Sequence, residues 1–294
     1  METREKEIFT VTIAGAVANI ALALFKLLAG IIGRSGAMIA DAVHSFSDLV
    51  SDVVVLVMVK VASKGEDRSH DYGHGKFETL ATAIIAFLLL AVAVRLMTGS
   101  VQKIVDIVNG KTTEVPGMIA LTAALVSIFV KEVLYQWTAK VGKSNGSEAV
   151  IANAWHHRSD ALSSIAAAAG IGVAIIFGGK WVVMDPLTCC MISVVIGAAA
   201  IRMAIPALHE LTEGSLPDST EKEICRIVDS IEGVHDIHAL KTRKMGPDIV
   251  IEAHLVVDPD MRVADAHELT DMAESKLREK YGPGTHISLH IEPE

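Results

Sequence analysis

Aromatic residues make up only 4% of the 294 residues and charged residues 21%, whereas 51% are hydrophobic and the mean hydropathy is +0.44. That balance excludes a disordered polymer and an ordinary soluble domain, and it points to a membrane protein. Cysteine is nearly missing. Cys189, Cys190 and Cys225 cannot form a disulfide framework, and the adjacent pair lacks the CxxC spacing of a thiolate metal site, so all three read as apolar packing residues. A basic stripe is missing too. The first 206 residues carry 17 lysines and arginines against 16 acids, and the remainder carries 9 against 19. The net charge of −9 therefore belongs to the C-terminal part, which would repel phosphates, and nucleic acid is excluded as a partner. No small-residue cleavage site follows the alternating charges of the first seven residues, so the first apolar stretch reads as a retained span and not a signal peptide.

What is present is a set of long apolar runs. A bilayer core about 30 Å thick takes roughly 20 apolar residues at about 1.5 Å each. Six stretches reach that length, over residues 8–32, 37–61, 77–97, 115–137, 149–177 and 187–205. Short turns at Gly33-Arg34-Ser35-Gly36 and Gly178-Gly179-Lys180 make hairpins of the first two spans and the last two. Arg4, Lys6, Lys60, Lys64, Arg68, Lys76, Lys140 and Lys143 flank one side, and Arg34, Lys103, Lys111 and Lys180 the other. This asymmetry predicts that both termini are cytoplasmic.

After Pro217 the pattern becomes that of a soluble domain. The sequence Asp218-Ser219-Thr220-Glu221 reads as a capping box, and Ile224, Ile227, Val228 and Ile231 follow at helical spacing up to Gly233. Strands are predicted over 237–242 and 249–257, then a helix over 263–280 closed by Gly282-Pro283-Gly284, then a strand over 286–291. The predicted fold class is an all-α, six-helix transmembrane domain over residues 1–208 plus a small cytosolic α+β domain over 209–294, in the order αββαβ.

Ionisable side chains within the apolar runs carry the functional signal, because each costs at least about 2.5 to 3.5 kcal/mol at mid-membrane. Asp41, His44, Asp48 and Asp52 share one helical face of the second span. The fifth span contains His156 and Asp160 one turn apart, so each of the two spans presents His-x-x-x-Asp. Asp48 and Asp160 both lie roughly 16 to 18 Å along their spans, near the midplane. Two antiparallel helices can thus set two imidazoles and two carboxylates around one ion, a donor set that tetrahedral Zn²⁺ accepts. His157 and Arg158 turn away from that face, and Arg158 is expected to pair with an acid or be partly hydrated. Asp41 and Asp52 are expected to be outer or access groups. There is no HExxH and no spare glutamate placed as general base, which argues against an intramembrane metalloprotease.

The segments Ala40 to Asp48, His70-Asp71-Tyr72-Gly73-His74-Gly75-Lys76 and Trp155-His156-His157-Arg158-Ser159-Asp160, in this order on six spans, resemble the cation diffusion facilitator family. The resemblance covers nearly the whole chain. It implies a homodimeric transporter, not an enzyme, that exchanges a divalent metal for protons across a lipid membrane, with His44, Asp48, His156 and Asp160 as the transport site. Histidine at position 44 resembles the zinc-selective members; aspartate there accompanies tolerance of cadmium or iron. Fe²⁺ or Mn²⁺ efflux by the same fold, and a membrane metal sensor that does not transport, are the alternatives.

Asp67, His70 and His74 form a candidate loop metal site, and the family carries a metal at matching positions. Lys76 matches the family's interlocking charge, with Glu213 as the acid partner. In the tail, His238, His254, His267, His290 and Glu292 match positions that bind regulatory zinc in the family's ferredoxin-like cytosolic domain. His290 and Glu292 alternate along a strand and so share a face. Ile291 stands where some members have a polar residue. His209, His235 and His286 read as surface histidines. The chain has no histidine-rich loop between the fourth and fifth spans, which favours a bacterial inner membrane.

Overall fold

The computed structural model describes the backbone of residues 2–62, 64–65, 67–111, 114–145 and 147–294; the side chains of 2–6, 8, 51–60, 62, 148, 149 and 152 lie outside the described residues. Asp52 is among these, as are Arg4, Lys6 and Lys60 of the flanking charges.

Six long helices come first: α1 (Glu2–Ile32), α2 (Gly36–Ala62), α3 (Lys76–Val108), α4 (Met118–Ser144), α5 (Glu148–Phe177) and α6 (Met184–Leu211). Among the described residues, α1, α3, α4, α5 and α6 are long and apolar enough to cross a membrane. Most of them run past the apolar stretches read from sequence, because polar ends such as Gln102 to Asp106 continue the helical hydrogen bonding beyond the apolar run. A single 3-10 turn, Gly179–Val183, joins α5 to α6.

The chain forms two compact units, residues 1–53 with 85–201 and residues 54–84 with 202–294. In the first unit the helices meet through small residues. Ala37, Ala40, Ala93, Ala120, Ala123, Ala124 and Ala167 are buried around Ile171, Ile192 and Ile196. Small side chains let backbones approach, so dispersion and hydrogen bonding can act where lipid offers no hydrophobic gain. Gly117 is one such close approach. Its amide donates to the Gly33 carbonyl at 2.8 Å, and a Cβ there would stand 3.1 Å from the Gly33 Cα. The α1–α2 turn passes through Arg34 at φ 50°. The start of α2 is capped from α6: the Asp185 carboxylate accepts from the Ser35 hydroxyl, the Gly36 amide at 2.8 Å and the Ala37 amide at 3.3 Å. A carboxylate at a helix N-terminus satisfies its free amides and opposes the helix dipole.

In the second unit, α7 (Asp218–Asp229), β1 (Asp236–Met245), β2 (Asp248–Val257), α8 (Val263–Tyr281) and β3 (His286–Pro293) reproduce the predicted αββαβ order. β2 is central, antiparallel to β1 and parallel to β3, with α8 as the crossover. Ile251, Ala253 and Leu255 of β2 pack with Ile224 and Val228 of α7 and with Ala273 and Leu277 of α8. The alternate residues Glu252, His254 and Val256 consequently take the other face. A bulge interrupts β1 between His238 and Lys241, where Ala239 has φ 53°. The expected capping box does not form. Pro217 is the N-cap and no side chain caps it, while the Glu221 carboxylate accepts the Thr242 hydroxyl at 2.7 Å. A tertiary partner on β1 has taken the acid that the local motif would have used.

Candidate metal centres

The candidates within the helical bundle lie on α2 and α5. Ligand atoms of Asp48, His156 and Asp160 come within 4.8 Å of one another. The His156 Nε2 stands 3.8 Å from the Asp160 Oδ1, one turn away on the same helix. Two carboxylates and one imidazole at this separation can close on a divalent ion, a hard and borderline donor set suited to Zn²⁺ or Mn²⁺. His44 lies one turn before Asp48 and is partly buried, but its ring is not in this group; its carbonyl accepts the Ser47 hydroxyl at 2.7 Å.

Two buried lysines accompany these acids. Lys131 of α4 donates to the Asp160 Oδ2 at 2.6 Å and to the Asn19 Oδ1 at 2.8 Å. Lys26 of α1 lies 2.9 Å from the Asp41 Oδ2, both side chains fully buried. Lys26 also donates to Ser45 and Ser164, and Asp41 accepts from Ser163 at 2.6 Å and Ser164 at 2.9 Å. Asp41 is therefore one half of a fully partnered internal ion pair, outside the close ligand group and linked to Asp160, among the described residues, only through Ser163; of its two expected roles, outer group or access group, the access role does not fit. Of the two expectations for Arg158, the hydrated one fits: it is exposed, pairs with no acid among the described residues, and its guanidinium lies over the rings of Tyr135 and Trp155, 4.6 and 5.5 Å from their centroids. His157 does turn away, buried where a Cβ on Gly15 of α1 would come 3.2 Å from its Nε2.

In the second unit, Asp67, His70 and His74 bring ligand atoms within 4.8 Å of one another, with Asp67 oxygens 3.5 Å from each ring. The Ser69 hydroxyl, its amide and the His70 amide donate to Asp67, and these bonds hold its carboxyl well below the usual carboxylate range. Asp67 therefore keeps its charge, and its capacity to serve as a metal ligand, far into the acid range. Ser69 also sits 2.9 Å from the His70 Nδ1, so its hydroxyl orients two candidate ligands. Loss of such an orienting group typically weakens metal binding by about 10- to 100-fold, and Ser69→Ala should show this in a zinc titration of the loop site.

Lys76 and Glu213 are joined by an ion pair, extended at 3.0 Å to Arg243. Next to it, Gly246 at φ 62° packs directly on the Gly75 backbone, with its amide donating to the Glu210 carboxylate at 2.8 Å.

On the sheet, His238 pairs across β1 and β2 with His254, and His254 across β2 and β3 with His290. The three rings form a row with centroids 5.3 and 5.0 Å apart. Glu292 reaches His254 Nδ1 at 2.9 Å and His238 Nε2 at 3.1 Å, and these three form a further potential ligand group. His290 stands 3.8 Å from Glu292. His267 does not join them. It lies exposed on α8, 3.9 Å from Asp271. His209, His235 and His286 lie beside the Ser215 carbonyl, Glu294 and the Tyr72 ring.

Residues 12–212 match the family described as cation efflux transmembrane domain, and residues 216–294 match the cation efflux protein cytoplasmic domain. The chain belongs to the cation diffusion facilitator family. It is 34% identical to metal tolerance protein C1 of Arabidopsis thaliana over 95% of its own length but 61% of that protein's. It is 31% identical to magnetosome protein MamB of Magnetospirillum gryphiswaldense, covering 94% of this chain and 91% of that one. It is 28% identical to the manganese efflux system protein MneP of Bacillus subtilis, covering 99% and 97%.

Membership in this family of cation efflux proteins and five membrane-length apolar helices make this an integral membrane protein. The histidine and aspartate positions of this facilitator were legible as mid-span polar residues. Lys26 and Lys131 carry the same signal, each being a cation inside an apolar run, but the sequence pattern alone did not single them out. Asn19, Ser163 and Ser164 carried no such signal, because short polar side chains are common in membrane helices.

Proposed function

We propose that this facilitator exports a divalent cation, Zn²⁺ first, in exchange for protons, as a homodimer with six spans and both termini in the cytoplasm of a bacterial cell. The observation that carries the reading is the approach of Asp48, His156 and Asp160 across two helices. His44, on the same face of α2, completes the four-ligand set as the ion closes the site. Ligand imidazoles must be neutral and carboxylates ionised, so arrival of metal expels protons and protonation expels metal. That opposition is the coupling an antiporter needs. Access then alternates by rocking of the bundle around a fixed midplane site. The three-residue loop site and the sheet-face site of His238, His254, His290 and Glu292 hold regulatory zinc, the latter tightening the dimer.

Mn²⁺ is the second reading. Two carboxylates and a single imidazole in the close group favour a harder ion than a His-rich site would, and the MneP relative is named for manganese efflux. Proteoliposomes carrying a pH dye and a metal dye distinguish these. Zinc entry coupled to proton exit, unchanged by excess Mn²⁺, supports the first reading, and proton exit driven by Mn²⁺ but not Zn²⁺ supports the second. Metal binding with no flux of either ion would instead identify a sensor. His238→Ala with His254→Ala should abolish zinc activation of transport while leaving basal flux through the bundle in place; unchanged activation would remove the regulatory role of the sheet face.

A further inference from the structure

We propose that Lys131 is a built-in competitor of the cargo. Its ammonium occupies Asp160 while the site is free of metal and withdraws onto Asn19 when a divalent ion binds. The inference rests on Asp160 being a cargo ligand. The two buried lysines are not equivalent. Lys26 is held by Asp41, Ser45 and Ser164, and Asp41 has two further hydroxyl donors; among the described residues the cluster reaches a metal-ligand candidate only through Ser163, which bonds the Asp160 backbone carbonyl and leaves its carboxylate to Lys131. Lys131 spends its ammonium on a carboxylate whose other oxygen faces His156. It also has a second berth, the Asn19 carbonyl oxygen at 2.8 Å, already in hydrogen-bond contact. Moving from one to the other requires no new partner.

A metal ion and an ammonium on one buried carboxylate would repel each other strongly at low dielectric. Metal binding therefore displaces the lysine from Asp160. A monovalent ion would replace one unit charge by another and gain nothing from the imidazole. A divalent transition ion gains a second charge and a nitrogen ligand. The lysine thus excludes monovalent cations and keeps divalent binding loose enough for release, as conduction through any ion site demands.

The test is zinc titration calorimetry at fixed pH on the full-length protein in detergent, with loop and tail sites removed by His70→Ala and His254→Ala. Lys131→Met should tighten zinc by about tenfold and make binding sensitive to excess Na⁺, and Lys131→Arg should keep the parental affinity. Asn19→Leu, which removes the second berth, should weaken zinc by about tenfold, and that effect should vanish in the Lys131→Met background. Opposite signs from removing the ammonium and from removing its Asn19 partner are not what a packing role produces. Unchanged or weakened zinc binding in Lys131→Met overturns the proposal. If that variant cannot be purified, unchanged affinity in Asn19→Leu overturns it. Asp160→Asn in the same background separates the two claims: an isotherm that survives it refutes the assignment of Asp160 as a cargo ligand, whatever the lysine does.

Discussion

Asp160→Ala should abolish metal flux and also lower the melting temperature of the purified protein, whereas Asp48→Ala should abolish flux with a much smaller change in stability. Both remove a carboxylate from the close group of three, so both leave too few donors to strip a divalent ion of its water. Only Asp160 also neutralises a buried cation, since its Oδ2 accepts Lys131 at 2.6 Å. Removing one partner of a buried ion pair leaves an uncompensated charge and costs about 3 to 5 kcal/mol. Asn19 remains in contact with the ammonium and reduces that cost without cancelling it. Asp160→Asn should be intermediate in stability and still inactive, because an amide oxygen can accept from Lys131 but is a poor metal ligand. Metal flux in proteoliposomes and thermal unfolding in detergent read the two effects separately. Equal destabilisation by Asp48→Ala and Asp160→Ala would show that the Lys131 pair does not stabilise the bundle.

Asp41→Ala should destabilise the bundle by a similar amount, about 3 to 5 kcal/mol, and so should Lys26→Ala. Here the pair is wholly internal, both side chains being fully buried, and each charge has lost its water. Replacing one partner strands the other. The double replacement Lys26→Met with Asp41→Leu should recover most of the loss, because exchanging a buried ion pair for packed apolar groups is often neutral or stabilising. Ser163 and Ser164 would keep partners in the double variant: Ser163 donates to the Asp160 carbonyl, and Ser164 lies 3.2 Å from the Ser127 hydroxyl. Failure of the double variant to recover stability would mean that the hydroxyl network, and not the pair, holds α1, α2 and α5 together. Metal binding by the recovered variant would further show that Asp41 takes no part in holding cargo.

The C-terminal domain was legible almost residue by residue, since β2 and α8 bury one face against water and their periods of two and 3.6 are written in the sequence. The one local motif that failed, the capping box at Asp218, failed because Glu221 found a hydroxyl on β1 that no local rule can foresee. His238, His254 and His290 could be assigned to strands, but their alignment in one row depends on the register of three strands and a bulge. Arg158 read as paired with an acid or partly hydrated; it is exposed, and the two aromatic faces beneath it could not be read from the sequence.

The run lengths, the mid-span His-x-x-x-Asp pairs and the change of composition after Pro217 fixed, without coordinates, that helices lie in lipid, that two of them carry ligand types and that a soluble domain follows. These features are local, since a bilayer imposes length and polarity on each segment separately. Which buried charge answers which was a matter for the tertiary structure alone. Lys26 chose Asp41 and Lys131 chose Asp160 across 15 and 29 residues of chain, because only packed helices bring such groups within bonding distance and a low dielectric leaves none of them free to stay unpaired.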